Sequence, residues 1–517
     1  MPINGAYDFD SVIRCDGSAV TPSYRQTVKR SHCQTVILRS RPNMSIRVTA
    51  LYIFVAFLAI YAWKDWFKSL CGLILLMAVI EHESMPKSIL GIQGFNTWNI
   101  LFLILFLAWL ASRRREGLTW DMPRHINVLL LMYLGVIVVG VLRAVFDRSY
   151  IQDYSVGSLV SEQLINTIKW VLPGILLFDG CRSRKQVIMA IVCLLTMYFL
   201  IAVQVVRRIP PGAILSGDAI NLARNICSDI GYSAVDMSVF LAGAFWAILA
   251  ALPLLRRKKY KAPALAAAGL VVFSQALTGG RAGYIAWGAI GLTLCLLKWR
   301  KYLLLVPVVV ILLPIVFPGA VDRMLTGFGE TDVAGQSTTD DNAVTSDRTI
   351  IWPYVIDKIG ESPLVGHGRL AMNRTGLVAT IQTEHPGIGA AQPHNMYLET
   401  LLDNGIVGSI PILLFWGILI VYAGRLFRSD NRLCSVVGGI ALSLILAQLF
   451  AGIGSQHIYP EESTLGMWAA MLLALRVYVE EKRARTAAMQ AEAIWDAPLV
   501  AGQQAVAFAQ TDGIVTL

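Results

Sequence analysis

The chain has 517 residues, of which 56% are hydrophobic and only 15% charged, far below the roughly one quarter charged residues of a soluble domain. That balance points to a membrane protein. The net charge of +10 does not argue for a nucleic-acid partner, because the basic residues sit in short clusters between apolar runs and are not gathered in one soluble domain. Runs such as Val235 to Leu255 are long enough for a helix to cross about 30 Å of hydrocarbon. Alternating segments of about ten residues, the mark of a membrane β-barrel, do not occur. The eight cysteines, at positions 15, 33, 71, 181, 193, 227, 295 and 434, have no metal-like spacing, so neither a disulfide framework nor a zinc site is expected.

In chain order, residues 1–47 form a polar, basic tail with no apolar core near its start, and no cleavable signal is expected. Apolar runs follow near 48–63, 69–81, 95–112, 126–146, 166–179, 186–206, 234–255, 262–278, 282–298, 301–318, 405–424, 433–453 and 463–479. The connections at Arg113 to Arg115, Arg182 to Lys185, Arg256 to Lys261, Lys298 to Lys301, Arg425 to Arg432 and Lys482 to Arg485 are basic and alternate with less basic ones, as cytoplasmic loops do. For the basic tail and Arg113 to share that side, 48–63 and 69–81 must together make one crossing, as two partial helices joined at Trp63, Lys64 and Asp65. The alternative is that 69–81 is interfacial or re-entrant.

The expectation is therefore an all-α polytopic membrane protein with about twelve transmembrane helices and one large external loop containing short helices. Its divisions are a cytoplasmic tail 1–47, transmembrane helices 48–318, the external loop 319–404, transmembrane helices 405–479 and a cytoplasmic tail 480–517. Residues 486–517, rich in Ala, Gln and Gly, read as weakly ordered.

A loop of that length in such a protein is usually functional or disordered. Gly327 to Ser346, with Asp332, Asp340 and Asp341, reads as flexible. From Asp347 the character changes: Arg348 to Ile359 is an amphipathic helical run, Ser362 to Gly368 is a turn, and Pro393-His394-Asn395 opens a helix that Asn404-Gly405 should stop. His394 would then face the positive end of that helix, where a dipole and any nearby arginine disfavour the imidazolium. A neutral imidazole can act as a general base near pH 7; equally, His394 could simply cap the helix or bond Asn395.

Arg281, after Thr278-Gly279-Gly280, lies at the outer mouth of two adjacent spans, either functional or snorkelling to headgroups. Arg348 is either a ligand or an ordinary surface charge. Arg143, Lys169, Arg207, Arg208 and Arg224 also fall near the outer interface. So many cations on the face that should be poor in them would suit a diphosphate, which guanidinium binds in bidentate fashion. His367, His385 and His457 read as solvated or structural. No phosphate-binding Gly-x-x-x-x-Gly-Lys loop and no Gly-x-Ser-x-Gly elbow appear.

Thr278-Gly279-Gly280-Arg281-Ala282-Gly283-Tyr284 opening a span, Arg348 with Trp352, Ser362-Pro363-Leu364 with Gly366 and Gly368, and His394-Asn395 with Leu398, Asn404, Gly405 and Gly408 occur in this order on one face. In these pieces the sequence resembles the O-antigen ligase and Wzy-type polymerase superfamily of bacterial surface-glycan enzymes. The resemblance implies a metal-independent, inverting glycosyltransferase with no cofactor, in the bacterial inner membrane with its active site on the periplasmic side. Its donor would be an undecaprenyl-diphosphate-linked oligosaccharide and its acceptor a growing glycan (polymerase) or a lipid core or protein (ligase).

Carried over by motif, Arg281 and Arg348 would hold and stabilise the leaving diphosphate, and His394 would deprotonate or orient the acceptor hydroxyl. Arg143, Lys169, Arg207, Arg208, Arg224 and Asn395 would bind substrate. A polymerase is favoured over a ligase because an acceptor built like the donor could share the cationic outer face. Membrane lipids, and other components of polysaccharide export, are the further partners implied. The expected Asn-containing pattern in 207–233 is missing, with Asp236 a stand-in. The competing classes are a transporter or flippase of an anionic lipid-linked solute, with the arginines as its binding site, and an inactive scaffold of an export complex.

Overall fold

The computed structural model describes residues 46–495, apart from 83–84, 86–88, 90–93, 95, 217–218, 317, 326–329, 332–336, 339–346 and 390. The N-terminal tail before residue 46 with Cys15 and Cys33, the flexible reading of the loop at Asp332, Asp340 and Asp341, and the tail from 496 onward lie outside the described residues. Contacts divide the chain between Thr49 and Ala50, and the fold below is that of the second unit.

Apart from one two-residue ladder, β1 (Glu330–Thr331) against β2 (Ser337–Thr338), the described residues form helices and their connections. The first half contains α1 (Ile46–Tyr61), α2 (Trp66–Leu76), α3 (Thr97–Glu116), α4 (Arg124–Phe146), α5 (Val156–Leu159), a π-helical turn Val160–Ile165, α6 (Asn166–Ile168), α7 (Leu172–Gly180) and α8 (Arg184–Arg208). Then come α9 (Pro211–Ser216), α10 (Ala219–Ile230), α11 (Ala234–Ala251), α12 (Lys258–Leu277), α13 (Arg281–Leu297), α14 (Val306–Val316) and α15 (Pro318–Leu325). Next come α16 (Arg348–Glu361), α17 (Ala371–Arg374) and α18 (Leu377–Glu384), followed by α19 (Met396–Arg428), α20 (Arg432–Ala451) and α21 (Leu465–Trp495).

Among the described residues, six helices are long and apolar enough to cross a bilayer: α4, α8, α11 with its terminal turn, α12, α19 and α20, with shorter apolar helices at α1, α2 and α13. The protein is a multi-pass membrane protein. Its centre is α20, 83% of whose apolar window is buried, packed against α11, α13, α19 and α21. Gly243 and Gly438 allow that closeness: a Cβ at Gly438 would stand 2.3 Å from Phe427 N, and one at Gly243 3.1 Å from Ala447 Cβ. The outward faces of α4 and α14 expose Leu131, Val139, Val310 and Ile311, apolar surface that fits a lipid environment.

Several expected elements differ in detail. The chain bends between α1 and α2, where Asp65 caps α2, and Ser69 Oγ donates to Leu58 O at 3.0 Å. They are two separate helices in angled contact, since a straight rod would keep Leu58 and Ser69 about 16 Å apart. The run 166–179 is interrupted after Ile168 and resumes as the nine-residue α7 with Pro173 in its first turn, too short to span alone. Residues 486–495, read as weakly ordered, continue α21; the stretch is rich in Ala, the best helix former. Just upstream, Arg485 pairs one turn back with Glu481 at 2.7 Å. The Asn404-Gly405 stop is a kink: α19 continues past Gly405 at φ 60°, ψ −171°.

The basic connections meet at one end of the bundle. Buried Asp179 takes Arg182 at 2.8 Å and Arg113 at 3.3 Å, Asp121 takes Arg476 at 2.6 Å and Arg483 at 2.8 Å, and Lys298 Nζ donates to Ser429 O at 2.9 Å. Helices α16 to α18 collect at the other end around a small core of Ile351, Val355, Met372, Leu377, Ile381 and Leu402.

Candidate active site

Arg281 is the first residue of α13 after a tight turn in which Gly279 has φ +72°. That turn packs on α11: a Cβ at Gly283 would lie 2.1 Å from Ser238 Oγ, and Ser238 Oγ donates to Gly280 O at 3.0 Å. Tyr284 OH accepts from Gly279 N at 3.1 Å and donates to Ala276 O at 2.6 Å. The small residues and the tyrosine of this motif thus fix where the guanidinium begins.

Arg348 opens α16, whose apolar face Ile351 and Val355 is held in that small core. Its Nε donates to His394 O at 3.4 Å, and its Nη2 donates to Gly454 O. One turn on, Trp352 Nε1 donates to Pro393 O at 2.9 Å. The four-residue spacing of Arg348 and Trp352 puts both on one helix face, where they hold the consecutive carbonyls of His394 and Pro393. Burial, and then the charge of Arg281, lower the pKa of Arg348; two guanidiniums close enough to repel mark a place suited to an anion.

His394 is half-buried and has φ +50°, a conformation uncommon outside glycine. Asn395, not His394, caps α19: its Oδ1 accepts from Tyr397 N at 2.9 Å and Leu398 N at 3.1 Å. Burial first, then the charges of Arg348 and His457, hold the His394 imidazole below its ordinary pKa, so it is neutral at pH 7.

The remaining expected ligands are dispersed. Arg143 donates to Val365 O at 2.7 Å and Gly366 O at 2.8 Å, so it anchors the Ser362 to Gly368 turn. Lys169 Nζ sits 4.4 Å from the Trp170 ring and 3.3 Å from Asn99 Oδ1. Arg208 contacts His82, while Arg207 and Arg224 are exposed on α8 and α10. Asp236, at the start of α11, accepts from Gln456 Nε2 at 2.8 Å.

Beside Pro393 lies a cavity of about 330 Å³ whose charged residues are ones that motif reading passed over. Arg369 Nη1 is 3.3 Å from both Glu399 and Asp403, and its guanidinium stacks 3.6 Å from the Tyr459 ring. Tyr459 OH donates to Asp403 at 2.9 Å. His457, read as solvated or structural, is largely buried with Nδ1 2.5 Å from Glu399 Oε2; that carboxylate raises its pKa to about 9, so it is charged at pH 7. The signal for this group was slight: Glu399 and Asp403 stand four apart on α19, and their partners lie far away in sequence.

A comparison with protein families matches residues 265–413 to the O-antigen ligase family. This stretch is an O-antigen ligase domain. It runs from α12 into α19 and contains Arg281, Arg348, Arg369, His394, Glu399 and Asp403. The whole chain matches no curated protein. Arg143, Lys169, His457 and Tyr459 lie outside the matched stretch.

Proposed function

We propose that this protein transfers a saccharide from undecaprenyl diphosphate to a sugar hydroxyl at the periplasmic face of the bacterial inner membrane, with about twelve crossings and both termini inside. The observation that carries the reading is the junction of Arg348 with the His394 segment, beside Arg281, in an O-antigen ligase domain and at the bundle end opposite the basic connections. The acceptor O–H gives its proton to neutral His394 as its oxygen bonds to the anomeric carbon. The bond from that carbon to the phosphate oxygen breaks on the opposite side, inverting the centre. The departing diphosphate gains negative charge, which Arg281 and Arg348 offset where it develops. No metal is assigned a role in these steps.

The test is transfer in proteoliposomes from purified undecaprenyl-diphosphate oligosaccharide, comparing wild type with His394→Ala, Arg281→Ala and Arg348→Ala. Losses of about 10²-fold or more are expected for each. Undiminished product from all three variants would overturn the site, and loss of activity in a chelator would overturn the metal-independent reading. Movement of the lipid-linked saccharide across the bilayer without product would favour the transporter. In cells lacking the protein, single undecorated repeat units indicate a polymerase and long unattached chains a ligase.

A further inference from the structure

The cavity beside His394 differs in character from the arginine pair. Its wall combines Glu162, Glu399, Asp403, Glu461 and Glu462 with only Arg369 and His457 as cationic counterparts, and both of these already contact Glu399. A diphosphate would be repelled there. A cluster of carboxylates alone says little, but four amide side chains also line the space: Gln163, Asn166, Asn373 and Gln392. Among the described residues none of the four makes a side-chain hydrogen bond. Buried Arg369 Nε likewise has no partner.

Gln163 lies in the π-helical turn Val160–Ile165, a rare geometry that is frequent at functional sites. Trp170, 4% exposed, and Tyr459 add aromatic rings to the lining. Amides, carboxylates and aromatic rings together match a polyhydroxylated ligand: hydroxyls both donate and accept, and sugar C–H faces pack on rings. About 330 Å³ is within the range of a small-ligand pocket.

We infer that this cavity binds the acceptor saccharide as an uncharged or amine-bearing sugar, delivering its hydroxyl to His394 from the side away from Arg281 and Arg348. This rests on the proposed transfer reaction and gives it an acceptor site separate from the cationic face that the donor diphosphate would occupy. A growing glycan and a lipid core present the same chemistry, so the probes must tell them apart.

The full chain in nanodiscs is titrated with two saccharides: that released by mild acid from the host's undecaprenyl-diphosphate pool, and that of the host's lipid core. Saturation-transfer NMR reads binding without turnover. The expected result is that wild type binds one of the two, the former marking a growing glycan and the latter a lipid core. Affinity should fall about tenfold in Asn166→Leu and in Gln392→Leu, as loss of one or two hydrogen bonds requires. Gln392 is exposed in a loop, so its replacement spares the helices if Asn166→Leu misfolds.

In the transfer assay the same variants should raise the half-saturating acceptor concentration and leave that of the lipid-linked donor unchanged. Absence of binding by both saccharides, undiminished binding in both variants, or an equal rise for donor and acceptor would overturn the assignment. Saccharide binding that the variants weaken, in a chain that transfers nothing, keeps the pocket and removes the reaction. Transfer with unchanged acceptor saturation does the reverse.

Discussion

His394 takes its chemical character mainly from where it is buried. A helix start and any nearby arginine were the reasons to expect a neutral ring; Asn395 holds the cap, and burial, then the charges of Arg348 and His457, lower the histidine. The rate of transfer should therefore stay level from pH 8 to below about 6.5 and fall only as the imidazole protonates beneath that value. A rate already falling between pH 7.5 and 6.5 would contradict this. His457 has the opposite shift, from 6.5 to about 9. Because its folded pKa is the higher, its contribution to stability is complete below about pH 6.5 and is lost as pH rises through about 9. Thermal melts in detergent should show wild type losing stability between pH 7 and 10, and Glu399→Gln losing that dependence. Among residues, Arg281, Arg348 and His394 were legible because each sits in a local motif, whereas Arg369 and His457 acquire meaning only from Glu399 and Asp403 across the fold.

At the scale of elements, the kink in α19 is the feature on which the site turns. Gly405 and Gly366 meet backbone to backbone: a Cβ at Gly405 would be 2.4 Å from Leu364 C, and one at Gly366 2.5 Å from Gly405 N. The amides of Ile406 and Val407 turn to Pro363 O at 2.9 Å and Leu364 O at 3.0 Å, so the Ser362 to Gly368 turn supplies acceptors that the broken helix lacks. Gly405→Ala should lower stability by about 2–4 kcal/mol, combining the φ penalty with overpacking, and should depress transfer by shifting α19's first turns. Gly360→Ala is the control: nothing lies within 4 Å of its added carbon, and inside α16 it should stabilise by about 0.5–1 kcal/mol. Melting temperatures of the two variants check both signs. In the sequence, Asn404-Gly405 marked the break, but continuation on its far side depends on carbonyls from another segment.

Across the whole molecule, charge sorts the two ends. At the basic end Asp179 is 0% exposed and joins α7 to Arg113 of α3 and to Arg182. Its replacement by Asn should cost about 2–3 kcal/mol in a detergent melt, less than the roughly 3–5 for a fully buried pair because both guanidiniums reach solvent. Sidedness has its own check. A membrane-impermeant maleimide should label Leu364→Cys, an exposed position, from the periplasm, and Arg425→Cys only after permeabilisation. The reverse pattern would invert the proposed topology.

Composition and run length by themselves determined that this is a helical, multi-pass membrane protein, because the bilayer core demands long apolar helices. Local motifs determined the order Arg281, Arg348, His394, since glycine turns and four-residue helical spacing are written in consecutive residues. Only the tertiary structure decided which cations face one another, which ones are already bonded to carbonyls, as Arg143 is, and that an acidic, amide-lined cavity opens beside the histidine. Those outcomes depend on contacts between residues hundreds of positions apart, such as Tyr133 OH to Ile458 O at 2.7 Å, and no local pattern encodes a partner at that separation.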